Sequence, residues 1–221
     1  MNHNKINSRA ILRSNLNLLF LAGMSFLLFS CLGGTQASDG VSGNDHRIFA
    51  TSAGYQSNTF TGGTPDAACA AAANAAGLTR TYIALLSNST LSAINKIGDN
   101  GGAIYEISNA SGTVEIAPSF NDGSTGLWNT SVSNLAHAID VDENGNGNSG
   151  AAIFTGSTSA GSQDPSTAPI MPASFCNDWS TTGGAVLTTV IIGTSGAADS
   201  TWMQNGSQAC NVQAHLYCIS E

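Results

Sequence analysis

The sequence predicts an exported, loop-rich α+β domain, and three observations carry that prediction. Charged residues make up only 9% of the 221-residue chain against 42% hydrophobic residues, so Gly, Ala, Ser, Thr and Asn take surface positions that Lys and Glu usually fill. One capped, Ala-rich helix stands among short β-prone runs separated by dense Gly, Asn and Ser punctuation. Behind a basic and then apolar leader the cysteines suit an oxidising compartment, where they staple small loop-rich domains.

Residues 1–30 follow the secretory order. Lys5, Arg9 and Arg13 precede an apolar run over 16–29, which is short and close to the N-terminus, so export is favoured over a spanning helix. The stretch Leu28-Phe29-Ser30-Cys31 resembles the bacterial lipobox. That resemblance implies a diacylglyceryl thioether on Cys31, which becomes the mature, membrane-anchored N-terminus. Cleavage after Ala37 is the alternative, and it would discard Cys31. More than one acyl chain anchors stably, since each buried methylene adds about 0.8 kcal/mol. The stretch 31–46 reads as the lipidated N-terminus and a flexible Gly/Ser/Asp/Asn tether, and 47–221 as the domain.

Within the domain, 47–52 ("RIFATS") reads as a first short strand. The helix begins at Thr64 as N-cap with Pro65 in the first position and Asp66 in the first turn, and it stops at Gly77. Cys69 falls in its second turn. Residues 80–87 are apolar and β-prone, which predicts a buried strand. Alternation on both sides of "NASG" predicts a hairpin over 103–117. The stretch 118–150 reads as loop anchored by Trp128. Further strands are expected over 151–156, 185–192 and 214–219.

With Cys31 assigned to lipid, Cys69, Cys176, Cys210 and Cys218 remain, an even count that predicts two disulfides in one of three pairings. A zinc site is disfavoured, because the spacings are not those of a knuckle and His215 is the lone histidine beside the last two cysteines. The segments "CAAAANAAGLTRTYIALLS" (69–87), "ASFCNDWS" (173–180) and "ACNVQAHLYCISE" (209–221) resemble the C-type-lectin-like fold, in particular its endostatin-like branch. They look most like the endostatin-like outer-membrane lipoproteins of spirochaetes. The resemblance covers about 47–221. It implies nested bridges, Cys69–Cys218 and Cys176–Cys210, and a surface lipoprotein that binds host proteins. The partners it implies are matrix components such as laminin, or complement regulators such as factor H.

Charge narrows the partners further. Beyond residue 30 only Arg47, Arg80 and Lys96 face fourteen acidic residues, a net charge of −11, which disfavours nucleic acid and heparin. The endostatin-type basic face and histidine cluster therefore do not transfer, and His46 stands alone. The calcium triplet of sugar-binding lectins is absent as well. One cation candidate remains in "DVDENGNGNSG", where Asp140, Asp142, Asn144 and Asn146 alternate around Gly145 as in the first half of a calcium loop. Ala151 occupies the place of the closing bidentate Glu, so a solvated turn is the competing reading. The alternative functions are calcium-assisted carbohydrate binding and an envelope structural protein without a host ligand. No Gly-x-Ser-x-Gly or His-Glu-x-x-His motif points to an enzyme. Trp128, Trp179 and Trp202 are expected in the core or as loop anchors.

Overall fold

The structure, a computed structural model, describes residues 37–38, 43–97, 101–109, 114–120, 125–128, 135–164, 175–180 and 189–221. All of them lie in one compact unit, Thr35–Glu221. The leader and Cys31 lie outside the described residues. Among the described residues no helix is long and apolar enough to cross a membrane.

The chain is mixed α+β with few helices. Its strands are β1 (Ala37–Ser38), β2 (His46–Ala50), β3 (Tyr82–Ala84), β4 (Ile104–Glu106), β5 (Ser108–Asn109), β6 (Glu115–Ala117), β7 (Ala152–Phe154), β8 (Thr189–Thr194), β9 (Ser207–Ala209) and β10 (Tyr217–Ser220). Helix α1 spans Pro65–Ala75 and the single-turn α2 spans Ala93–Lys96. A five-stranded sheet has the order β3-β10-β2-β4-β6, a three-stranded sheet the order β7-β8-β9, and β1 pairs with β5.

Strand β2 is the centre of the larger sheet. It pairs antiparallel with β10, Phe49 opposite Cys218, and parallel with β4, Ile48 opposite Glu106. All five of its residues are buried, because each face of the sheet is covered. Phe49 belongs to the cluster that packs under α1, whereas Ile48 and Ala50 belong to the one that holds Trp128 and Trp202. A strand covered on both faces reads as a continuous apolar run rather than an alternating one, and "RIFA" is such a run. Its one cation, Arg47, is buried with it. Nη1 donates to the Glu106 carbonyl at 2.7 Å and the guanidinium lies 5.7 Å from the centre of the Tyr105 ring.

Helix α1 forms where its sequence predicts. The Thr64 hydroxyl accepts from Ala67 N at 3.1 Å, and the chain leaves the helix through Gly77 at φ +77°. Its Ala-rich face lets it approach β3 closely, burying Ala68, Cys69 and Ala73. Asp66 closes the edge of the sheet. One carboxylate oxygen, Oδ1, accepts from Ala84 N at 2.9 Å and from Lys96 Nζ at 2.5 Å.

Several strands are shorter than their apolar runs. Of 80–87 only Tyr82–Ala84 is strand, because Leu86 N turns back to the Ala84 carbonyl and Ser87 N crosses to Thr155 O. Likewise β10 begins at Tyr217 rather than 214. The preceding residues leave the sheet to bridge Tyr55 and Ile153, and His215 so links the two sheets. The hairpin forms as β4 and β6, Tyr105 opposite Glu115, while its "NASG" turn lies mostly outside the described residues. The stretch read as a free tether is not free throughout, since Ala37 and Ser38 pair antiparallel with Asn109 and Ser108.

Two disulfides close the domain. Cys69 of α1 is bridged to Cys218 of β10 across 149 residues, and Cys176 to Cys210 across 34. These are the nested pairs that the family resemblance implies. In the chain-entropy model such loops restrain the unfolded chain by about 5 and about 4 kcal/mol respectively.

Candidate functional site

The acidic turn 140–148 closes on itself through its own backbone. Asp142 Oδ1 accepts from Asn144 N and Asn146 N, both at 2.9 Å, and Asn146 Nδ2 donates to Oδ2 at 3.4 Å. Asp142 N donates to Asn146 O at 2.8 Å and Asn148 N to Asp140 O at 2.5 Å. Gly145 occupies the left-handed position at φ +76°. Asp142 is buried, whereas Asn144 and Asn146 are exposed and Asp140 is half-buried. The fold thus brings Asp142 and Asn146 together, with the carboxylate engaged by N–H donors. Calcium takes six to eight oxygen ligands. Among the described residues no three of His, Cys, Asp and Glu form a group that could hold a metal ion.

Three carboxylates of the domain use one recurring device. Glu143, also buried, accepts Ser52 N at 2.8 Å on one oxygen and the Ser52 hydroxyl on the other. Asp178 grips Ser89 in the same way, taking N at 2.7 Å and the hydroxyl at 2.6 Å, and Asp199 takes the amide and hydroxyl of Thr201. Backbone N–H and Ser/Thr hydroxyls therefore do what Lys and Arg do elsewhere. The three domain cations are meanwhile engaged by the chain itself, Arg47 buried and Arg80 and Lys96 half-buried. Arg47 is buried against Glu106 O and Tyr105, Arg80 donates to the Asp45 carbonyl, and Lys96 pairs with Asp66.

Glu106 is the exception in strength. At the end of β4 and only 5% exposed, its Oε1 accepts both Asp140 N at 2.7 Å and Val141 N at 3.0 Å, fastening the acidic turn to the sheet. Burial holds its carboxyl up to about 7 against an ordinary 4.5, the two N–H bonds pull the other way, and the Asp140 charge adds to the rise. The alternation in "AIYEIS" puts Glu106 on the same side as the apolar Ile104, so a buried acid was visible there; its partners, more than thirty residues downstream, were not.

At the other edge of the large sheet, four successive residues, Cys176, Asn177, Asp178 and Trp179, have φ between 52° and 64°. A left-handed turn of L-residues costs about 1–2 kcal/mol per residue, so it persists only where neighbours over-determine it. Here they do. Cys176 is bridged to Cys210, Asp178 grips Ser89, and the Trp179 indole donates to Ser87 O at 3.0 Å. Gly156, at φ +58°, admits the Phe175 ring so closely that a Cβ would lie 2.8 Å from it. Trp128, Trp179 and Trp202 are all buried, and Trp128 stacks on Trp202 with ring centres 5.8 Å apart.

With so few cations, contact with a partner is expected through the loops of 118–210, where the structure describes the acidic turn, the 156–164 segment and the left-handed turn. Residues 121–124, 129–134, 165–174 and 181–188 of that stretch lie outside the described residues. Sequence reading missed the Asp178–Ser89 and Glu143–Ser52 clamps, since each joins segments about ninety residues apart. A search of protein-family models gives no match to this sequence. No curated protein matches it either.

Proposed function

We propose that the chain is an exported lipoprotein, anchored through Cys31 at the outer membrane or cell surface, whose C-type-lectin-like, endostatin-like domain binds host proteins. Matrix components such as laminin and complement regulators such as factor H are the partner classes. The observation that supports this reading best is the nested pair of bridges, one joining the first helix to the last strand and the other fixing the loop at Cys176. That arrangement lends rigidity to loops whose irregular backbone buries little apolar area.

Charge favours a basic patch on the partner. Arg47, Arg80 and Lys96 are engaged within the domain, so the charge it offers outward is carboxylate, with Asp178, Asp199 and Glu115 exposed. Complementary charge of that kind raises association rates and falls away with salt. His46 Nδ1 donates to Ser220 O and His215 Nδ1 to Thr51 O, each at 2.6 Å, which fixes both rings to backbone carbonyls.

The test is a panel of immobilised matrix proteins, complement regulators and glycans, probed with the soluble Thr35–Glu221 unit at low and at physiological salt. Salt-sensitive binding to a matrix or complement protein is expected. Binding to glycans alone, or full protection of the protein from proteases added to intact cells, would overturn the reading.

A further inference from the structure

The chain contains four Asn-Gly pairs, beginning at Asn100, Asn144, Asn146 and Asn205. In such a pair the glycine's backbone nitrogen can attack the side-chain carbonyl carbon of the asparagine, because a following residue without Cβ leaves the peptide free to swing onto it. Asparagine is for that reason among the heat-labile residues. The fold decides which pair is open to the reaction. The glycine N–H must be uncommitted, and the asparagine amide must be accessible and loosely held. Asn100 lies outside the described residues.

The three described pairs differ on both counts. Gly145 is buried and its N donates to Asp142 O at 2.9 Å, so the nitrogen beside Asn144 is engaged. Asn205 is exposed but pinned against β8. Its N donates to Ile192 O at 2.7 Å and its Nδ2 to Thr194 Oγ1 at 2.6 Å, while Gly206 O accepts from Ile192 N. Asn146 and Gly147 are both exposed. Gly147 faces Val141 in an antiparallel bridge whose bonds are made by the residues on either side, Asp142 N to Asn146 O and Asn148 N to Asp140 O. In such a pair the residue's own N–H points away from the opposite strand, and among the described residues no group accepts it. A Cβ built on Gly147 would meet nothing within 4 Å, so the space there is open. The Asn146 amide is held loosely, by a 3.4 Å bond to Asp142 Oδ2.

We infer that Asn146 is a site of spontaneous deamidation, the residue at which the acidic turn is first modified. Gly147 N loses its proton and bonds to Asn146 Cγ, the Cγ–Nδ2 bond breaks, and the nitrogen leaves as ammonia. Water then opens the cyclic imide at either carbonyl. One opening gives aspartate; the other gives isoaspartate, with the chain running through the former side chain. Either product replaces the Nδ2 donor that faces Asp142 with a carboxylate, which sets like charge beside like. It also adds a negative charge to the loops through which a basic partner patch is expected to bind.

The test incubates the folded protein at mildly alkaline pH in water enriched in heavy oxygen, which labels each newly formed carboxylate, and maps the peptides by mass spectrometry. Label should enter at residue 146 severalfold faster than at 144 or 205. Gly147→Ala, whose Cβ fits without contact, should slow labelling at 146 severalfold and leave thermal unfolding unchanged. In urea with the disulfides reduced the three rates should converge, because the bonds that shelter Asn144 and Asn205 are gone. Equal labelling at all three in the folded protein, or faster labelling at 144 or 205, overturns the assignment. A lead for 146 that persists undiminished in urea overturns the part given to the fold.

Discussion

Glu106→Gln should make the domain more stable at alkaline pH and remove most of its pH dependence between 5 and 8. Oε1 of the acid already accepts both turn amides, and the amide oxygen of Gln can take the same two bonds. What the substitution removes is ionisation. The carboxyl titrates near 7 when folded against an ordinary 4.5, so across that interval the folded chain holds a proton that the unfolded chain has lost. Stability from this group is complete below about 4.5 and is lost as pH rises through about 7, at about 1.4 kcal/mol per pH unit. The interval of about 2.5 units corresponds to about 3 kcal/mol. Urea unfolding at pH 4.5, 6, 7 and 8 reads it. With a slope of roughly 2 kcal/mol per molar, the variant's midpoint at pH 8 should exceed the wild type's by about 1.5 M and match it at pH 4.5. If both proteins lose stability in parallel as pH rises, Glu106 is not the titrating group and the argument fails.

Three further outcomes are expected. Replacing Cys176 and Cys210 together by Ala should cost about 4 kcal/mol and replacing Cys69 and Cys218 about 5 kcal/mol, read by thermal unfolding; the first pair alone should also speed amide exchange over 175–180, and unchanged exchange there would show that the left-handed turn does not need its bridge. Gly156→Ala should destabilise by about 2 kcal/mol, because its Cβ would meet the Phe175 ring at 2.8 Å and Ser87 O at 3.0 Å in a conformation that side chains avoid. Millimolar calcium should leave the melting temperature unchanged, since Asp142 is engaged by amides of its own turn; a rise would restore the cation-loop reading of 140–146.

Much of the local architecture was legible from residue type alone. Thr64, Pro65 and Gly77 bounded α1 because caps and stops act within a few residues. The alternation on either side of "NASG" produced β4 and β6, and the dearth of cations was plain in a count. Less legible were the lengths of β3 and β10, where apolar runs outlast the strands. Their ends are set by crossings to Thr155, Tyr55 and Ile153, which no periodicity encodes. Strand β9, "SQA", carries no apolar signal at all and exists because β8 supplies its partner.

By itself, then, the sequence determined a capped helix, a set of apolar runs, an even number of cysteines beyond residue 31 and an acidic composition. Each follows from local propensity, spacing or composition, which are properties of contiguous residues. Only the tertiary structure decided that β2 runs parallel to β4, that Cys176–Trp179 winds left-handed, and that Ala37–Ser38 lies on the domain. It also decided that Glu106 titrates near 7, because the fold buries its carboxyl, and this burial outweighs the opposing pull of the amides of residues 140 and 141. Such outcomes depend on burial and on donors brought together from distant segments, and those free energies exist only once the chain has closed.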